Sequence, residues 1–515
     1  MNSAVYEIAG GNYEKGGEAS KKLKEMLKRL GANPDAVRRA MIAAFEAEMN
    51  VVIHAGGGVM KVAVTPDQVD VAVIDQGPGI PDIALALTEG YSTAPPEARE
   101  LGFGAGMGLP NIRKNTDRFT IQSEPGKGAH LRFSIRLQTQ ETDPANAISL
   151  TVREECCRQS LRCLHACPTG AIRVRNDRPH VLDHLCVDCT ACAAACPARV
   201  FDMACPEELP QITEDLVLLL PPAFVVQFEP AVAPESVLQA LNGLGFAQVR
   251  LFAEWEETLR AAVRKYAAHH PETRPILSPH CPAVLNLVRL RFPSLLGHLA
   301  PFLSPLEAAR ENLTAPHMAF VPACPAHASI LRVPSVMSRV DLISPSALTE
   351  AVRPAVRRAH QESPAPHVSS TNDVLEVWGI HRVAAFLDRT ENGLMQDCGV
   401  VELYACEQGC FGAPVWRADP FAARRRFERM PPEIFTPPEA PRAAAVRRIA
   451  DLFPRGGVRL DPDMRQAIKK LAQIDAIAKT LPGRDCGVCG APACAALAED
   501  IVMGKAALDD CPYRQ

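Results

Sequence analysis

The most constraining feature of this chain is a set of four cysteines at fixed spacing. The stretch LCVDCTACAAACPARV follows the pattern C-x2-C-x2-C-x3-C-P, with cysteine positions Cys186, Cys189, Cys192 and Cys196. An iron–sulfur cubane needs four thiolates, and this spacing wraps three of them around one cluster while the fourth serves its neighbour. The spacing therefore predicts a paired iron–sulfur site.

The partner of this set lies upstream, in CCRQSLRCLHACPTGAI. Counting back from Cys167, which is followed by proline, gives Cys163 at the third ligand position and Cys157 at the first. The second position holds Ser160 instead of cysteine. One of the two predicted clusters therefore lacks a regular thiolate.

Residues 150–204 resemble two-cluster bacterial ferredoxins, and we assign this domain to 148–205. The resemblance implies one complete cluster, with the ligands Cys186, Cys189, Cys192 and Cys167. The other cluster has the ligands Cys157, Cys163 and Cys196. Ser160 or Cys156 fills the fourth place, or the site holds three irons or is labile. The sequence leaves these alternatives open, because cluster type and ligand chemistry both set stability.

Composition limits the classes of function. The 515 residues suffice for several domains, and a net charge of −4 with interspersed signs argues against a nucleic-acid or anionic-membrane surface. The longest apolar run, LVLLLPPAFVVQF, is too short to cross a bilayer, and the start does not resemble a signal peptide. We therefore expect a cytoplasmic protein. The chain has 18 cysteines, all from Cys156 onward, and in a reducing cytoplasm clustered cysteines indicate metal binding. We expect Cys205 and Cys398 to be incidental thiols.

The cysteine-free first 140 residues predict a separate α/β block. KKLKEMLKRL and PDAVRRAMIAAFEAEMNVVIHA have helical periodicity, and QVDVAVIDQGPGI is a strand that enters a turn. Glu46, Asn50 and His54 share one helix face, and Asp75 ends the strand before the glycine-dense GFGAGMGLPNIRKN. A carboxylate can accept a hydrogen bond from an adenine amino group, and glycine amides can cradle phosphates. The block therefore predicts a nucleotide site.

Residues 1–138 resemble the GHKL ATPase fold, most closely the anti-sigma-factor type of serine kinase, through EAEMNVVIHA, DQGPGI, EGYSTAPPEARELGFGAGMGLPNI and GKGAHLRF. The resemblance implies ATP and Mg²⁺ binding in a domain at 1–140, with Glu46 as base, Asn50 on the metal and Asp75 on adenine. The other nucleotide-binding residues that it implies are His54, Gly77, Gly79, Gly104, Gly106, Gly108 and Gly128. A serine on a small antagonist protein is the favoured target. A two-component histidine kinase is disfavoured, because no helix with a phospho-accepting histidine precedes the block.

From residue 216, apolar strand segments (AFVVQF, FAQVRLFA, RPILS, HMAFVPA) alternate with helical ones, which predicts α/β layers. Four cysteines follow strand ends, where sites are built in such sheets: Cys281, Cys324, Cys406 and Cys410. Residues 218–420 resemble the C-terminal domain of [FeFe] hydrogenases, and we assign this domain to 216–425. The resemblance implies that the four cysteines hold the cubane half of the hydrogen-activating cluster, with Cys410 bridging to its di-iron half.

Two histidines depart from that family's pattern. His280 stands where the family has a proton-passing cysteine, and His327 stands where a lysine holds a cyanide of the di-iron half. An imidazole reproduces neither the size of a thiol nor the reach and fixed charge of an ammonium. We therefore expect the cubane to remain and the di-iron site to be absent, although His280 is able to relay protons. A catalytic Cys281–His280 pair is disfavoured, because adjacent side chains on an extended loop point apart.

The chain ends with another cysteine set, behind a Pro/Arg-rich linker with some helix at 426–470. Its members, in a domain at 471–515, follow C-x2-C-x4-C-x16-C: Cys486, Cys489, Cys494 and Cys511. Zinc also takes four thiolates, and spacing alone does not separate it from iron. The segment resembles the small four-iron domain of electron-transfer and corrinoid proteins, so a [4Fe-4S] cluster is favoured.

Together these segments predict a multidomain α/β and α+β protein. It comprises a GHKL (Bergerat) α/β sandwich, a ferredoxin-like insert, an α/β hydrogenase-like domain and a small helical iron–sulfur domain. The cysteine sets predict three or four [4Fe-4S] clusters beside ATP and Mg²⁺. No nucleic acid and no membrane insertion are expected.

The favoured function is a redox or hydrogen-related sensor whose cluster state sets serine phosphorylation of a protein partner. One added electron changes local charge enough to bias a two-state element, and a kinase lid that orders around ATP is such an element. The alternatives are a hydrogenase-related oxidoreductase or electron-transfer subunit with a regulatory ATPase domain, and an iron–sulfur assembly factor. We also expect a redox partner, and a homodimer stays an open alternative.

Overall fold

The computed structural model describes residues 2–13, 16–95, 98, 106–137, 148–206, 208–228, 232–313, 315, 317–331, 339–358, 374–393, 395, 398–430, 443–449, 451–455 and 459–514. The chain divides into two compact units. The first comprises Met1–Thr142, Gly456–Arg484 and Cys494–Gln515, and the second comprises Asp143–Arg455 and Asp485–Ala493. Within the described ranges, no helix combines the length and the apolar character that a bilayer crossing requires.

The strands are short in most of the second unit and longer in the first. They are β1 (Asn2–Ala9), β2 (Gly57–Val64), β3 (Gln68–Asp75), β4 (Arg118–Ser123), β5 (Ala129–Arg136), β6 (Leu150–Val152), β7 (Ile172–Arg175), β8 (Arg178–Val181), β9 (Phe201–Met203), β10 (Leu216–Leu220), β11 (Gln248–Leu251), β12 (Ile276–Ser278), β13 (His317–Phe320), β14 (Arg339–Leu342), β15 (Val374–Trp378) and β16 (Val400–Tyr404).

The helices alternate with these strands in both units. They are α1 (Glu18–Arg29), α2 (Pro34–His54), α3 (Ile83–Ala86), α4 (Gly108–Lys114), α5 (Arg162–Ala166), α6 (Ala191–Ala195), α7 (Pro222–Val225), α8 (Pro234–Asn242), α9 (Ala253–His269), α10 (Pro282–Arg291), α11 (Pro305–Asn312), α12 (Pro325–Leu331), α13 (Pro345–Arg358), α14 (Ile380–Glu391), α15 (Pro420–Glu428), α16 (Met464–Thr480) and α17 (Cys494–Val502).

The first unit is built on an antiparallel sheet in the order β1-β2-β3-β5-β4. Along β3, Val69, Val71 and Val73 are buried and alternate with partly exposed residues. Such alternation is typical of an antiparallel sheet with one face on the core, and here that face packs against α2. The predicted α/β architecture of the N-terminal block is confirmed.

A buried carboxylate joins α1 to α2. Glu48 of α2 accepts hydrogen bonds from the amides of Ala19, at 3.0 Å, and Ser20, at 2.9 Å. These amides belong to the first turn of α1, which has no intrahelical acceptors for them. Because α2 also carries the predicted nucleotide-binding face, this contact fixes the helix that positions the site.

The C-terminal helices α16 and α17 belong to the first unit. The amide of Leu460 donates to the Arg29 carbonyl at the end of α1, across 2.9 Å. Asp463 then caps α16 by accepting from the Arg465 amide at 2.8 Å. The predicted linker at 426–470 thus ends in a helix that starts at Met464, and its part at 431–442 lies outside the described residues.

The second unit combines two short antiparallel ribbons with two parallel sheets. The ribbons pair β6 with β9 and β7 with β8, whereas the sheets have the orders β11-β10-β13-β14 and β12-β16-β15. AFVVQF was expected to be a strand, and this expectation is wrong. The strand is Leu216–Leu220, and the two prolines after it start the short helix α7.

Candidate nucleotide and iron–sulfur sites

Glu46 and Asn50 of α2 face the start of α4. Asn111 Nδ2 donates to Glu46 Oε1 across 2.8 Å. A Cβ atom at Gly108 would lie 3.3 Å from Asn50 Oδ1 and 3.4 Å from Glu46 Oε2. The shared helix face predicted from the spacing of Glu46 and Asn50 therefore meets the glycine-rich segment, as a phosphate and Mg²⁺ site requires.

Asp75 closes β3 and orders the turn after it. Its Oδ1 accepts from the amides of Gly77, at 2.8 Å, and Ala129, at 3.2 Å, which leaves Oδ2 available for an adenine amino group. His54 lies close enough to this carboxylate for its charge to affect the pKa of the imidazole. Burial lowers the pKa of His54, and the charge of Asp75 opposes the shift. The imidazole is therefore neutral at neutral pH and adds no charge beside the nucleotide.

Close backbone approaches explain the predicted glycines. Gly128 has φ +80°, and a Cβ there would lie 2.1 Å from the Asp75 carbonyl oxygen. Gly106 has φ +74°, and its Cβ would lie 2.3 Å from the Gly90 carbonyl carbon. At Gly79 the obstacle would be the Glu124 carbonyl oxygen, at 2.2 Å. Gly104 lies outside the described residues, so its role stays a prediction.

The complete ferredoxin-like ligand set converges in the second unit. Burial raises the pKa of Cys192 to about 12, with a further contribution from Cys167. Burial raises the pKa of Cys189, and the neighbouring thiols of Cys167 and Cys192 raise it further. Burial and the same two thiols also raise the pKa of Cys186. These thiols therefore lie near one another, and iron bound to them would displace their protons. The residues present fit a [4Fe-4S] cubane.

The second set is arranged in the same way, with one thiolate missing. Burial raises the pKa of Cys163 to about 11, and Cys196 and then Cys157 add to the shift. Cys157 and Cys196 therefore lie near Cys163, and that the three bind one cluster stays a prediction. Ser160 is exposed and Cys156 is half-buried beside them. Three of the four ligands that a cubane takes are present, and Ser160 and Cys156 are the candidates for the fourth.

Four cysteines from three segments of the chain line one cavity in the second unit. Its walls include Cys281, Cys324, Cys406 and Cys410. Burial raises the pKa of Cys410, and Cys324, Cys281 and Cys406 add to it in that order. The convergence fits the predicted cubane. Cys189 and Thr190 also line the cavity, and Thr190 Oγ1 lies 3.9 Å from Cys406 Sγ, so the ferredoxin-like ligands approach this site.

His327 stands in the wall of the same cavity. Its ring packs edge-on against Phe252, with centroids 5.6 Å apart, and its Nε2 lies 4.0 Å from Cys410 Sγ. Nδ1 is buried without a hydrogen-bond partner among the described residues. Burial lowers the pKa of His327 to about 4, so the ring is neutral at neutral pH. His327 therefore supplies no fixed positive charge, as expected where a histidine stands in place of the lysine of the resembled family.

His280 points into a buried polar network. Its Nδ1 lies 2.7 Å from Ser278 Oγ, and burial lowers its pKa to about 4. Glu402 accepts from Arg260 Nε at 3.0 Å and from the Tyr404 hydroxyl at 2.7 Å. Because Tyr404 lines the cavity, this network supports its wall. Among the described residues, His280 Nε2 has no hydrogen-bond partner.

The C-terminal cysteines lie in both units. In the second unit Cys486 is exposed, and the Cys489 carbonyl accepts from Arg175 Nη1 at 2.7 Å. In the first unit Cys494 begins α17, and Cys511 is buried. That these four bind one cluster stays a prediction.

Several contributors to these sites lack a sequence motif. Asn111, Arg260, Glu402 and Tyr404 were not anticipated, because their partners are 65 to 144 residues away along the chain. Asn111 lies in the LPNI end of the glycine-rich segment, which is the one available signal. For Glu402, a carboxylate within the apolar strand VVELY could have indicated a buried charge that needs a partner.

Three family models match segments of the chain. Histidine kinase-, DNA gyrase B- and HSP90-like ATPases match residues 36–139, the C-terminal domain of the iron-only hydrogenase large subunit matches 214–313, and an Fe-S cluster family matches 481–513. The chain is therefore a fusion of a GHKL-type ATPase domain, a hydrogenase-like segment and an Fe-S cluster domain. The hydrogenase match includes Cys281 and ends before Cys324.

Curated relatives match parts of the chain. The serine/threonine-protein kinase RsbT of Bacillus subtilis is 29% identical over 113 residues, which are 21% of this chain and 79% of RsbT. The anti-sigma F factor of Thermoanaerobacter sp. (strain X514) is 32% identical over 97 residues, which are 18% of this chain and 64% of that protein. The large subunit of the corrinoid/iron–sulfur protein of Moorella thermoacetica is 54% identical over 37 residues, which are 7% of this chain and 8% of that protein.

Solved [FeFe]-hydrogenase structures superimpose on part of the chain. For a variant of HydA1 from Chlamydomonas reinhardtii the TM-score is 0.31 at 14% identity, over 50% of this chain and 89% of the hydrogenase. At this level of similarity these structures identify no activity for the chain.

Proposed function

We propose that this protein is an iron–sulfur redox regulator in which cluster state controls an ATP-dependent serine kinase domain acting on a protein partner. The kinase part rests on the Glu46, Asn50 and Asp75 constellation and on the similarity to RsbT and anti-sigma F factor. The regulatory part rests on the iron–sulfur segments that share the chain.

The observation that carries the proposal is the position of α17 in the first unit. This helix begins at Cys494, a predicted cluster ligand, and its Glu499 forms an ion pair with Arg29 of α1 at 3.0 Å. The end of α1 also binds the amide of Leu460, just before α16. A change at Cys494 can therefore reach α1, and through Glu48 it can reach α2.

The chain's own residues suit phosphoryl transfer to a hydroxyl group. Asn111 holds the Glu46 carboxylate by one oxygen, so the other oxygen is free to accept the proton of an attacking serine or water. Asn50 offers an amide oxygen for Mg²⁺, which when bound neutralises charge on the phosphates. Asp75 selects adenine, because its carboxylate accepts from an amino group and repels a keto group.

The experiment compares one preparation in two redox states. The full chain is purified anaerobically, and its ATP turnover is measured after reduction with dithionite and after oxidation with ferricyanide. Coupling of the usual strength changes the rate about fivefold or more between the two states. Cys494→Ser should abolish the difference while keeping ATP turnover, and Glu46→Gln should abolish turnover in both states. Equal rates in the two states of the unmutated chain would contradict the proposal.

A second candidate is an electron-transfer subunit, and the 3.9 Å distance between Thr190 Oγ1 and Cys406 Sγ favours it. This distance brings the ferredoxin-like ligands next to the cavity of four cysteines, as one-electron transfer between two cubanes requires. Reduction of the chain by a ferredoxin, with equal ATP turnover in both redox states, would support this function. Infrared bands of iron-bound CO and cyanide would add a di-iron site, which we expect to be absent.

A reducing compartment suits both candidates. Thiols that must bind iron have to stay reduced, and the cytosol keeps thiols in that state. We propose a cytoplasmic location on this ground. Release of iron and sulfide from the Ser160-containing site to an acceptor protein would favour the third alternative, an assembly factor.

A further inference from the structure

The two halves of the ferredoxin-like segment repeat one backbone conformation around their ligands. After Cys186, Asp188 has φ +55° and Thr190 has φ +63°. After Cys157, Gln159 and Leu161 both have φ +53°. Left-handed residues other than glycine are uncommon, and here they recur at the second and fourth positions after the first cysteine of each half. The loop around Ser160 therefore has the conformation of a cluster-binding loop.

Hydrogen bonds to sulfur repeat in the same register. The Asp188 amide donates to Cys186 Sγ at 3.4 Å, and the Gln159 amide donates to Cys157 Sγ at 3.5 Å. In each half a short helix, α6 or α5, starts directly after the second left-handed residue. Ser160 consequently occupies the place that Cys189 has in the complete set.

Cys156 occupies a different place, that of Leu185 before Cys186. Both Cys156 and Leu185 pack against the apolar cluster that includes Leu150, Leu164 and Phe201. The assigned ligands of the incomplete set pack against the same apolar cluster, so the register along the chain, and not the packing, separates Cys156 from them. The geometry therefore favours Ser160 over Cys156 as the residue at the fourth corner.

The surroundings of that corner differ between the two halves. Cys189 lines the cavity of the second unit, whereas Ser160 is exposed. The neighbours Arg158 and Arg162 are exposed as well and carry positive charge. A hydroxyl is a poor ligand compared with a thiolate, so an iron at this corner is weakly held and faces solvent.

We propose that the cluster of Cys157, Cys163 and Cys196 has one exchangeable iron at the Ser160 corner, and that this iron binds a small anion such as cyanide or a thiolate in place of a protein thiolate. Exchange needs no oxidant. A [4Fe-4S]²⁺ cluster releases the corner iron as Fe²⁺ and leaves [3Fe-4S]⁰, so charge and electrons balance. The site is independent of the kinase activity and adds a ligand-binding iron to the chain.

The test is isotope exchange on the full chain, reconstituted anaerobically with natural iron and then incubated with ⁵⁷Fe²⁺. Mössbauer spectroscopy should show about one exchanged iron per chain, the iron without a thiolate ligand. Ser160→Cys should abolish the exchange, and Cys156→Ser should leave it unchanged. Cys189→Ser, the matched change in the other half, should add a second exchanging iron.

Cyanide is the probe for the anion. It should perturb the spectrum of the exchanged ⁵⁷Fe in the unmutated chain and leave Ser160→Cys unchanged. Equal exchange in the unmutated chain and in Ser160→Cys would overturn the proposal, as would loss of the cluster in Cys156→Ser. Exchange without any effect of cyanide would overturn the anion-binding part. Iron content and thermal unfolding of each variant distinguish these outcomes from misfolding.

Discussion

Arg29 of α1 and Glu499 of α17 form an ion pair within the first unit, with Nη2 and Oε2 3.0 Å apart. Their side chains are 21% and 36% exposed, so the pair contributes little to stability, about 0.5 kcal/mol after screening by solvent. Its position matters more than its energy. It joins a helix that begins at a predicted cluster ligand to a helix of the nucleotide-binding block.

Reversing this pair should test whether it carries redox coupling. Arg29→Glu should reduce the ratio of ATP turnover rates between the two redox states toward one, because like charges separate α17 from α1. The double change Arg29→Glu with Glu499→Arg should restore the ratio. Arg39, which pairs with Asp117 at 2.6 Å in the same unit, provides the matched control, and Arg39→Glu should keep the ratio. An unaltered ratio in Arg29→Glu would exclude this route.

The contact of Asn111 with Glu46 should affect chemistry more than nucleotide binding. Asn111→Ala removes the donor that orients the carboxylate, and we expect kcat for ATP turnover to fall about tenfold, a part of the 10²- to 10⁴-fold that a base contributes. The KM for ATP should change little. Asn115→Ala, one turn further along the chain, is the control and should keep kcat. A rise in KM with unchanged kcat would assign Asn111 to binding instead.

Two glycines of one turn should respond differently to alanine. Gly126 and Gly128 have φ +77° and +80°, so both substitutions carry the strain of a left-handed residue, about 1 kcal/mol. A Cβ at Gly126 meets nothing within 4 Å, whereas one at Gly128 would lie 2.1 Å from the Asp75 carbonyl oxygen. Gly128→Ala should therefore lower the free energy of unfolding more than Gly126→Ala does, as measured by denaturant unfolding. It should also weaken ATP binding, as measured by calorimetry. Equal behaviour of the two variants would refute the close approach.

The buried pair of Arg260 and Glu402 should matter for the wall of the four-cysteine cavity. Glu402→Gln removes the carboxylate to which Arg260 donates, and we expect a loss of about 3 kcal/mol in unfolding free energy. Arg382, which pairs with Glu407 on the surface with 71% and 47% exposure, is the control. Arg382→Gln should change stability by less than about 0.5 kcal/mol.

The pair of Arg260 and Glu402 also predicts how the free energy of unfolding depends on pH. Burial alone would raise the pKa of Glu402, but His280, Arg260 and Tyr404 together lower it below its usual range. Because the pKa of Glu402 is lower in the folded state than in the unfolded state, its carboxylate stabilises the fold above the unfolded-state pKa. This stabilisation is lost as the pH falls through the folded-state pKa. Unfolding free energy measured from neutral to acid pH should therefore fall less steeply in Glu402→Gln. Parallel pH profiles would contradict this assignment.

Local spacing determined much of this protein. The two ferredoxin-like ligand sets were predicted from the sequence because a cubane takes three ligands from one short loop, as the spacing of Cys186, Cys189 and Cys192 allows. Glu46 and Asn50 could be placed on one face because an α-helix returns every fourth residue to the same side. In both cases the deciding geometry lies within a few residues of chain.

Only the tertiary structure decided the rest, because packing between distant segments leaves no local periodicity. Arg260 meets Glu402 across 142 residues and Arg29 meets Glu499 across 470, in contacts that depend on how whole helices and strands stack. The choice between Ser160 and Cys156 also needed coordinates. Thiolate chemistry favours cysteine as a ligand, whereas the repeated left-handed backbone gives Ser160 the register that Cys189 has in the other half.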